Sequence, residues 1–448
     1  MSFDHLNTIY RSFDIRGKFP EEITPEEVEK IGKAIVVHFG VKKVAIGRDI
    51  RPSADILFNS LSKGLTSQGC DVIDLGLTTT PMTYFIGGST DVDATVMITA
   101  SHMPSEYNGL KITIEDSKPV TADVLQILKE IVGTHTFSSE ETTGSITTHA
   151  MQEDWIANFK AKHDLSGTNY SVVIDPANMI GALDIATFKA FEPDITVHTI
   201  YDELDHTCPN HEANPMKHET LVDLGAEVVC QKATIGLAFD GDADRVGFVD
   251  ENGTPVPSDI IGIILAKYIL DKYPTSTVVY DIRSTKALPE LVESLGGTAI
   301  QEKVGHTFIR TTMREHDAVL GIELAGHFFF KESYFSEGGP LPAFMVMEVM
   351  KKEGKTLSEL ATEAKKYFPS SEINSEISRK PEEIYTELRE VFSDAEFREK
   401  DGLSIHYTDW WCNIRPSAND PVMRMNLEGD TEEIMEEKRD RVLKIIRS

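Results

Sequence analysis

The chain has 448 residues, enough for several domains of the usual ~100–200 residues. Its composition, 40% hydrophobic and 26% charged, is typical of globular proteins and excludes a disordered or collagen-like chain. A formal net charge of −29 argues against nucleic acid as a partner and requires that any anionic ligand be held by local cations or a metal.

The sequence also lacks the features of membrane and exported proteins. No apolar stretch approaches the ~18 residues of a membrane-spanning helix, and the segment MSFDHLNTIYRSFDIRG lacks the apolar region of a signal peptide. The four cysteines occur without a CxxC pair, as is typical of reduced cytosolic thiols: Cys70, Cys208, Cys230 and Cys412. We therefore expect a cytoplasmic protein with neither membrane nor nucleic acid among its partners.

An internal repeat organises most of the chain. Three strand-like segments lead into an aspartate: Val44–Asp49, Ser171–Asn178 and Ser276–Arg283. Each is followed by a helix-like stretch, then by a second strand-like run (DVIDLG, DITVHTI, GGTAIQEKVGH) and a third (TVMIT, TIGLAF, AVLGI) that ends in a polar loop. Strands that alternate with helices predict parallel βαβ layers, with these loops at the carboxyl ends of the strands.

The repeat predicts an α/β fold of three similar α/β domains with mixed sheets, plus a smaller α+β C-terminal domain, around one central cleft. The repeat ends at KKYFPSSEINSE, where charged helical stretches take over. Segments rich in Ser and Thr at 135–149, and with Gly and Pro at 251–259, are typical of linkers. The predicted domains are residues 1–148, 149–253, 254–368 and 369–448.

The loop DGDADR carries the strongest metal-site pattern in the chain. Asp240, Asp242 and Asp244 alternate, so an extended loop places three carboxylates on one side, which suits a hard divalent cation, most plausibly Mg²⁺. Glu251 completes the spacing of an EF-hand, but Arg245 stands where that loop needs glycine and the flanks are β-like. We reject the EF-hand; a solvated acidic turn is the remaining alternative.

Two further repeat loops carry candidate groups. Ser101 lies beside His102 at the end of TVMIT, which suits a nucleophile, although a lone Ser-His pair is usually ordinary loop polarity. Glu323 and His327 end the third repeat, where they can hydrogen-bond sugar hydroxyls or lie in solvent.

The segment RPSANDP, from Arg415 to Pro421, places a guanidinium, a hydroxyl and turn amides close together. Such a nest binds phosphate, although an isolated segment of this kind is more often an ordinary turn.

Two other patterns are not interpreted as sites. His206, Cys208 and His211 mimic zinc ligands, but a fourth ligand at a suitable spacing is missing. The adjacent Trp410 and Trp411 have apolar neighbours and are more typical of a domain core than of a sugar-stacking platform.

Taken together, these loops resemble the α-D-phosphohexomutase family, most closely its phosphomannomutase/phosphoglucomutase branch. The matching segments span the chain: FDIRG, TASHMPSEYNGLKI, DPANMIG, HEANPMK, FDGDADRVGFVDE, KVGHTFIR, GIELAGH and RPSANDP. The resemblance implies an isomerase, an intramolecular phosphotransferase that interconverts hexose 1-phosphate and hexose 6-phosphate. Mannose and glucose are the implied sugars. It also implies Mg²⁺, a phosphoserine enzyme, and hexose 1,6-bisphosphate as intermediate and activator.

The resemblance also implies roles for individual residues. Ser101 would carry the phosphoryl group and bind Mg²⁺ together with Asp240, Asp242 and Asp244. Glu323 and His327 would contact the sugar. The non-reacting phosphate would be bound by Arg415, Ser417 and Asn419. Other positions would line the cleft: Arg16, Lys111, Arg245, Arg283 and His306.

General acid and base chemistry would fall to Lys111 or His102, with Arg16 also in the catalytic set, and the residues alone do not choose between the two. Three positions depart from the family pattern, Met103, Ala325 and Ala418, and the second bears on sugar selectivity. The residues leave open whether the enzyme is a phosphoglucosamine mutase, a Mg²⁺-dependent phosphatase or a non-catalytic sugar-phosphate binding protein. The oligomeric state is also left open, a monomer included.

Overall fold

The computed structural model describes residues 6–11, 13–138, 143–417 and 422–448. They form four units in chain order, each built on one β-sheet. No helix among these residues is long and apolar enough to cross a bilayer.

The first unit contains a seven-stranded sheet. Its strands are β1 (Ile15–Lys18), β2 (Lys43–Arg48), β3 (Asp71–Leu77), β4 (Ala94–Ile98), β5 (Tyr107–Ile114), β6 (Lys118–Pro119) and β7 (Ile146–Thr148). Its helices are α1 (Leu6–Ile9), α2 (Pro25–Phe39), α3 (Ala54–Thr66), α4 (Thr80–Ser89) and α5 (Ala122–Thr134), with a 3-10 turn at Glu115–Ser117.

The second unit contains a five-stranded sheet. Its strands are β8 (Tyr170–Asp175), β9 (Ile195–Thr199), β10 (Ile235–Phe239), β11 (Val246–Val249) and β12 (Pro255–Val256). Its helices are α6 (Gln152–Lys162), α7 (Ile185–Lys189) and α8 (Val222–Gln231), with 3-10 turns at Ile180–Asp184 and His218–Leu221.

The third unit also contains a five-stranded sheet. Its strands are β13 (Thr277–Asp281), β14 (Thr298–Glu302), β15 (Leu320–Glu323), β16 (His327–Phe330) and β17 (Ser336–Glu337). Its helices are α9 (Ser258–Lys272), α10 (Ala287–Ser294), α11 (His306–Glu315), α12 (Leu341–Glu353) and α13 (Leu357–Ala364), with a 3-10 turn at Lys331–Ser333.

The fourth unit is smaller and its sheet is antiparallel throughout. Its strands are β18 (Phe368–Pro369), β19 (Ile373–Glu376), β20 (Glu396–Arg398), β21 (Leu403–His406), β22 (Trp410–Pro416) and β23 (Val422–Gly429). Its helices are α14 (Pro381–Val391) and α15 (Glu432–Ile446).

The first three sheets share one topology, which confirms the predicted repeat and the mixed sheets. In each, the leading strand (β2, β8 or β13) is central and pairs in parallel with the next two strands. The third of these (β4, β10 or β15) then turns back into an antiparallel partner (β5, β11 or β16). The Ser101, DGDADR and Glu323 loops therefore occupy the same topological position, between the third strand and its antiparallel neighbour.

A single apolar core joins these three units. It includes Ile86 of α4, Trp155 of α6, Phe188 of α7 and Phe344 of α12, all buried, together with most of α9. Burial of this kind contributes about 25 cal/mol per Å² of apolar surface. The shared core orients the three sheets so that their loops face a common space.

Candidate active site

Ser101 lies at the start of the serine loop, residues 99–106, directly after β4. It is buried, with φ at 53°, a left-handed conformation that is uncommon for a residue with a side chain. Its Oγ donates to Asp240 Oδ2 at 2.8 Å and accepts from Arg245 Nη2 at 3.1 Å. The His102 ring nitrogen Nδ1 is 3.2 Å from the same oxygen. The hydroxyl is therefore held in contact with the second unit.

Arg51 fixes the backbone of the serine loop and is a functional residue that the sequence reasoning missed. Its two terminal nitrogens donate to four loop carbonyls, those of Ser101 (2.6 Å), Met103 (2.6 Å), Pro104 (2.6 Å) and Tyr107 (2.9 Å). Its Nε donates to the buried carboxylate of Asp49 at 3.0 Å. All five donors of the guanidinium are thus engaged.

A repeated sequence signal marks Arg51. The triplet Asp-Ile-Arg occurs at residues 14–16, and two further copies lie at strand ends, after β2 at residues 49–51 and at the end of β13 at residues 281–283. In both of these strand-end copies the arginine backbone N–H and Nε donate to the aspartate. The first arginine is directed at the serine loop and the second into the cleft.

The aspartate loop, residues 240–245, connects β10 to β11. Asp240, Asp242 and Asp244 are buried, and one oxygen of each lies within 4.8 Å of the others. Asp242 Oδ1 and Asp244 Oδ1 accept no hydrogen bond among the described residues. Burial and the neighbouring Asp242 raise the pKa of Asp244. Clustered buried carboxylate oxygens with free acceptor positions are the donor set of a hard divalent cation.

Cations of the chain face these carboxylates. Lys111 Nζ donates to Asp242 Oδ2 and Asp244 Oδ2, both at 2.5 Å, and Arg245 Nη2 donates to Asp240 at 2.7 Å. Burial acts to lower the pKa of Lys111, but the two aspartates raise it well above its usual value. Lys111 is therefore a cation held in the aspartate loop.

Two contacts set the position of the aspartate loop against the first unit. A Cβ at Gly241 would lie 2.2 Å from the carbonyl oxygen of Ser101, so only glycine permits this approach. At the start of α4, Thr80 Oγ1 donates to Asp242 Oδ2 at 2.5 Å and Thr80 N donates to the Asp242 carbonyl at 3.0 Å. Thr80 was not identified from the sequence.

His102 and Arg16 lie beside the serine and aspartate loops. Burial, the neighbouring Arg245 and Arg16 lower the pKa of His102 to about 2, so the imidazole is neutral at ordinary pH. Arg16, on β1 opposite Gly109 of β5, pairs with Asp14.

The glutamate loop, residues 323–327, connects β15 to β16. His327 Nδ1 lies 3.8 Å from Asp244 Oδ1 and 3.3 Å from Glu337 Oε1. Burial acts to lower the pKa of His327, but Asp244 and Glu337 raise it to about 9. Burial lowers the pKa of His306, whose ring is 6.2 Å from that of His327, to about 3. Glu337, which sequence reasoning missed, carries no motif beyond its place on β17.

Glu323 connects this region to the far end of the site. Arg283 Nη2 donates to Glu323 Oε1 at 3.3 Å, and burial raises the pKa of the carboxyl. Ala325, the position that departs from the expected hydroxyl, contributes only a methyl group to the cleft wall.

The fourth unit brings the predicted phosphate segment to this far end. Arg415, on β22, is buried and donates to Glu372 Oε2 at 2.7 Å. Arg424, on β23, donates to Ser417 Oγ at 3.4 Å. Neither Glu372 nor Arg424 was identified from the sequence. Asn419 and Ala418 lie outside the described residues.

A cleft of about 590 Å³ lies beside these groups. It extends from Arg245 past Leu324 and Ala325 to Arg283, Glu372 and Arg424. Three sets of contacts bring all four units together along the cleft: Ser101–Asp240, Asp244–His327 and Arg283–Glu372–Arg415.

The rejected patterns have other roles. Glu251 accepts from the Ser358 hydroxyl instead of joining the aspartates. His211 Nε2 lies 2.9 Å from Asp175 Oδ2, outside both clusters of potential metal ligands found among the described residues. Trp410 and Trp411 are buried, as expected, and Trp411 also borders the cleft, where its Nε1 donates to Glu428 at 3.0 Å.

Comparison with known proteins identifies the family. Four family models for phosphoglucomutase/phosphomannomutase match in order: alpha/beta/alpha domain I at residues 8–139, domain II at 152–253, domain III at 257–367 and the C-terminal domain at 372–445. A phosphomannomutase of Methanocaldococcus jannaschii is 34% identical over 98% of this chain and 97% of its own. The chain belongs to the phosphoglucomutase/phosphomannomutase family.

Other members agree over nearly the full length. A phosphomannomutase/phosphoglucomutase of Pseudomonas aeruginosa is 31% identical over 96% of this chain and 93% of its own. A crystal structure of a phosphoglucomutase/phosphomannomutase family protein from Burkholderia thailandensis aligns with a TM-score of 0.89 at 27% identity, covering 98% of this chain and 97% of that one. The four-unit architecture is thus that of the phosphoglucomutase/phosphomannomutase family.

Proposed function

We propose that this enzyme interconverts hexose 1-phosphate and hexose 6-phosphate, with mannose and glucose as its sugars, through phosphorylated Ser101. The observation that carries the proposal is the placement of a buried serine hydroxyl between Asp240 and Arg245, where Arg245 lines one end of a cleft whose other end is lined by Arg283 and Arg424. A mutase needs both ends, because one phosphate reacts while the other is held.

The aspartate loop fits a Mg²⁺ ion. Asp242 Oδ1 and Asp244 Oδ1 are buried and accept no hydrogen bond among the described residues, so each is available to a cation or to a donor from a ligand. Asp240, Asp242 and Asp244, together with phosphorylated Ser101, would hold the ion. When bound, Mg²⁺ supplies charge neutralisation for the phosphoryl group.

Each side chain of the site has its own role in phosphoryl transfer. The P–Oγ bond of phosphorylated Ser101 breaks as a bond forms from phosphorus to a hexose hydroxyl oxygen, which loses its proton. The leaving Ser101 Oγ takes up a proton in turn, and the candidate groups for these two proton transfers are His102, whose Nδ1 is 3.2 Å from Ser101 Oγ, and Lys111. Lys111 and Arg245 remain cationic and stabilise the negative charge of the transferring group.

The remaining groups orient the substrate. Glu323 and His327 would bind sugar hydroxyls between the two ends, with Arg283, His306 and Arg16 on the cleft wall. The non-reacting phosphate would be bound by Arg415, Ser417 and Asn419. The bisphosphorylated intermediate would turn over so that its other phosphate returns to Ser101. We also propose the domain boundaries inferred from the sequence, and a cytoplasmic location from the scattered reduced cysteines.

Ser101→Ala tests the proposal directly. Purified wild-type protein should contain a fraction one phosphoryl group heavier by mass spectrometry, localised to the peptide around TASHMPSEY, and the variant should lack it. Mutase turnover should fall by orders of magnitude, since the transferring oxygen is gone. Unchanged turnover in a folded Ser101→Ala protein would contradict the mechanism.

The same preparations separate the mutase from a phosphatase or a binding protein. A phosphatase releases inorganic phosphate from hexose 1-phosphate, whereas a mutase yields hexose 6-phosphate and a binding protein yields neither. The paired phosphate ends favour the mutase, because hydrolysis requires no group that holds a second phosphate. Assays with mannose, glucose and glucosamine 1-phosphates on one preparation decide the sugar and test the phosphoglucosamine mutase alternative.

A further inference from the structure

Glu372 places a carboxylate among three arginines at the far end of the cleft. Its Oε2 is 2.7 Å from Arg415 Nη2 and 3.7 Å from Arg283 Nη1, and its Oε1 is 3.7 Å from Arg424 Nη1. The carboxylate side chain is 26% exposed and lies on the cleft wall. Glu372 therefore lies against three arginines, of which Arg283 also pairs with Asp281 and Glu323.

The arginine cluster has more binding capacity than Glu372 uses. Arg415 Nη1 and Arg424 Nε are buried and have no hydrogen-bond partner within the described part of the chain. Burial and the neighbouring Arg283 lower the pKa of Arg415, which is the effect of a cation held close to another cation. A ligand with more charge and more acceptor oxygens than a carboxylate would satisfy these donors better.

A phosphate dianion has those properties. In the mutase reaction the release of this phosphate matters as much as its binding. The bisphosphorylated intermediate cannot turn over unless the cluster releases one phosphate and later binds the other. Removing a dianion would leave Arg415 and Arg424 without a close counter-charge beside Arg283, which keeps its pairs with Asp281 and Glu323, and this is costly in a partly desolvated cleft.

We propose that Glu372 is an internal stand-in for the substrate phosphate: it pairs with Arg415 whenever the phosphate leaves and is displaced whenever a phosphate binds. This inference rests on the proposed mutase function. It makes Glu372 a residue that sets how readily the far site exchanges its anion. Glu372 lies between β18 and β19 of the fourth unit and is close to Arg283 of the third unit, so the exchange takes place where these two units meet.

Glu372→Gln tests the stand-in role, because it keeps the side-chain size and removes the competing charge. Binding of inorganic phosphate and of glucose 6-phosphate is measured by isothermal titration calorimetry. We expect both Kd values to fall about threefold to tenfold, since a partly exposed ion pair makes a modest contribution. We also expect KM and kcat to fall together, because the tighter site releases the intermediate more slowly.

A purely structural role for Glu372 would change the Kd for phosphate in the opposite direction. If Glu372 only orients the arginines, Glu372→Gln weakens phosphate binding and raises KM, and that result, or an unchanged Kd, overturns the proposal. Glu372→Asp, which withdraws the carboxylate from Arg415, should tighten phosphate binding to a smaller extent.

Two controls complete the design. Glu396→Gln removes the same charge from β20, where the exposed Glu396 pairs with Arg398 at 2.7 Å, and should leave both Kd values unchanged. Arg415→Ala should abolish phosphate binding. If wild-type protein lacks mutase activity but Glu372→Gln still tightens phosphate binding, the mutase function fails and the anion exchange stands. If the mutase is active and phosphate binding does not tighten, only the stand-in role fails.

Discussion

At the scale of single residues, the site depends on side chains that hold other groups in place. Arg51 touches none of the proposed reacting atoms, yet its guanidinium is the common donor to four carbonyls of the serine loop. It thereby offsets the cost of the left-handed backbone at Ser101, which is of order 1–3 kcal/mol. Asp49 fixes the guanidinium in turn.

Arg51→Lys should therefore lower kcat with little change in KM. Lysine has three donors in place of a planar set of five, so the loop relaxes, and a displacement near 1 Å can reduce turnover about 10²-fold. Steady-state kinetics of the folded Arg51→Lys protein measure kcat and KM separately. Arg48→Lys, which keeps the pairs with Asp55 and Asp74, is the matched control. A wild-type kcat in Arg51→Lys would show that the loop keeps its shape without the guanidinium.

A second residue determines how stability depends on pH. Asp184 accepts from Trp155 Nε1 at 2.8 Å and is fully buried, and burial raises the pKa of its carboxyl to about 7. The unfolded chain ionises this group near pH 4, whereas the folded chain keeps the proton up to about pH 7. The free energy of unfolding therefore falls as the pH rises between these values.

Asp184→Asn should remove that dependence. The amide keeps the acceptor for Trp155 and carries no charge, so the variant should gain about 2–4 kcal/mol over wild type at pH 8 and little at pH 4. Chemical denaturation at both pH values measures the difference. Asp440→Asn, at an exposed aspartate of α15, controls for the loss of charge. An equal change in the free energy of unfolding at both pH values would contradict the raised pKa of Asp184.

At the scale of elements, the site forms where two loops come into contact. The serine loop and the aspartate loop hold equivalent positions in the first and second sheets. The serine loop and the aspartate loop touch through backbone, since Gly241 lies against the Ser101 carbonyl. The start of α4 then braces the aspartate loop through Thr80. The loop pair acts as one rigid surface because each part is in contact with backbone of the other unit.

Gly241→Ala should separate the two loops. The added methyl cannot fit 2.2 Å from a carbonyl oxygen, so the Ser101–Asp240 hydrogen bond lengthens and kcat should fall about 10²-fold or more. Gly144→Ala is matched in strain, because its Cβ would lie 1.9 Å from the Cys70 carbonyl, yet it is remote from the site. Kinetics and thermal melts of both variants are compared. Equal losses of activity would mean that strain alone, rather than loop contact, matters.

At the scale of the whole molecule, the cleft requires the units to keep a fixed arrangement. Arg310 of α11 is fully buried between the first and third units: Nη2 donates to the Ser117 carbonyl at 2.5 Å and to Ser336 Oγ at 2.6 Å. Its guanidinium lies 4.3 Å from the ring centroid of Tyr84 and 3.9 Å from Glu337. One turn earlier, His306 begins the same helix beside the cleft.

Arg310→Met should loosen the first unit from the third. It leaves the buried Glu337 without this cation, and breaking a buried pair costs about 3–5 kcal/mol. Differential scanning calorimetry should show a lower first transition and reduced cooperativity between units. Arg439→Met on α15, where Arg439 pairs with Asp440 at 2.9 Å on the surface, should change little. A single transition at the wild-type temperature would show that Arg310 does not hold the first and third units together.

The amino-acid sequence alone predicts the repeat, the fold class and the loops that carry the chemistry. Strand alternation is local and the repeat occurs three times, so the polar loops after TVMIT, TIGLAF and AVLGI mark the site without any knowledge of tertiary structure. The spacing of Asp240, Asp242 and Asp244 is likewise a local property, because alternate residues of an extended loop share a side.

Contacts between groups that are distant along the chain become visible in the folded protein. Glu337, Glu372 and Arg424 belong to segments without a recognisable motif, and their importance comes from contacts with residues ten or more positions away along the chain. The charge states of His102 and Lys111 also depend on burial and on neighbours from another unit. Long-range electrostatics and packing leave no pattern in neighbouring residues, so these features emerge only when the four units come together around the cleft.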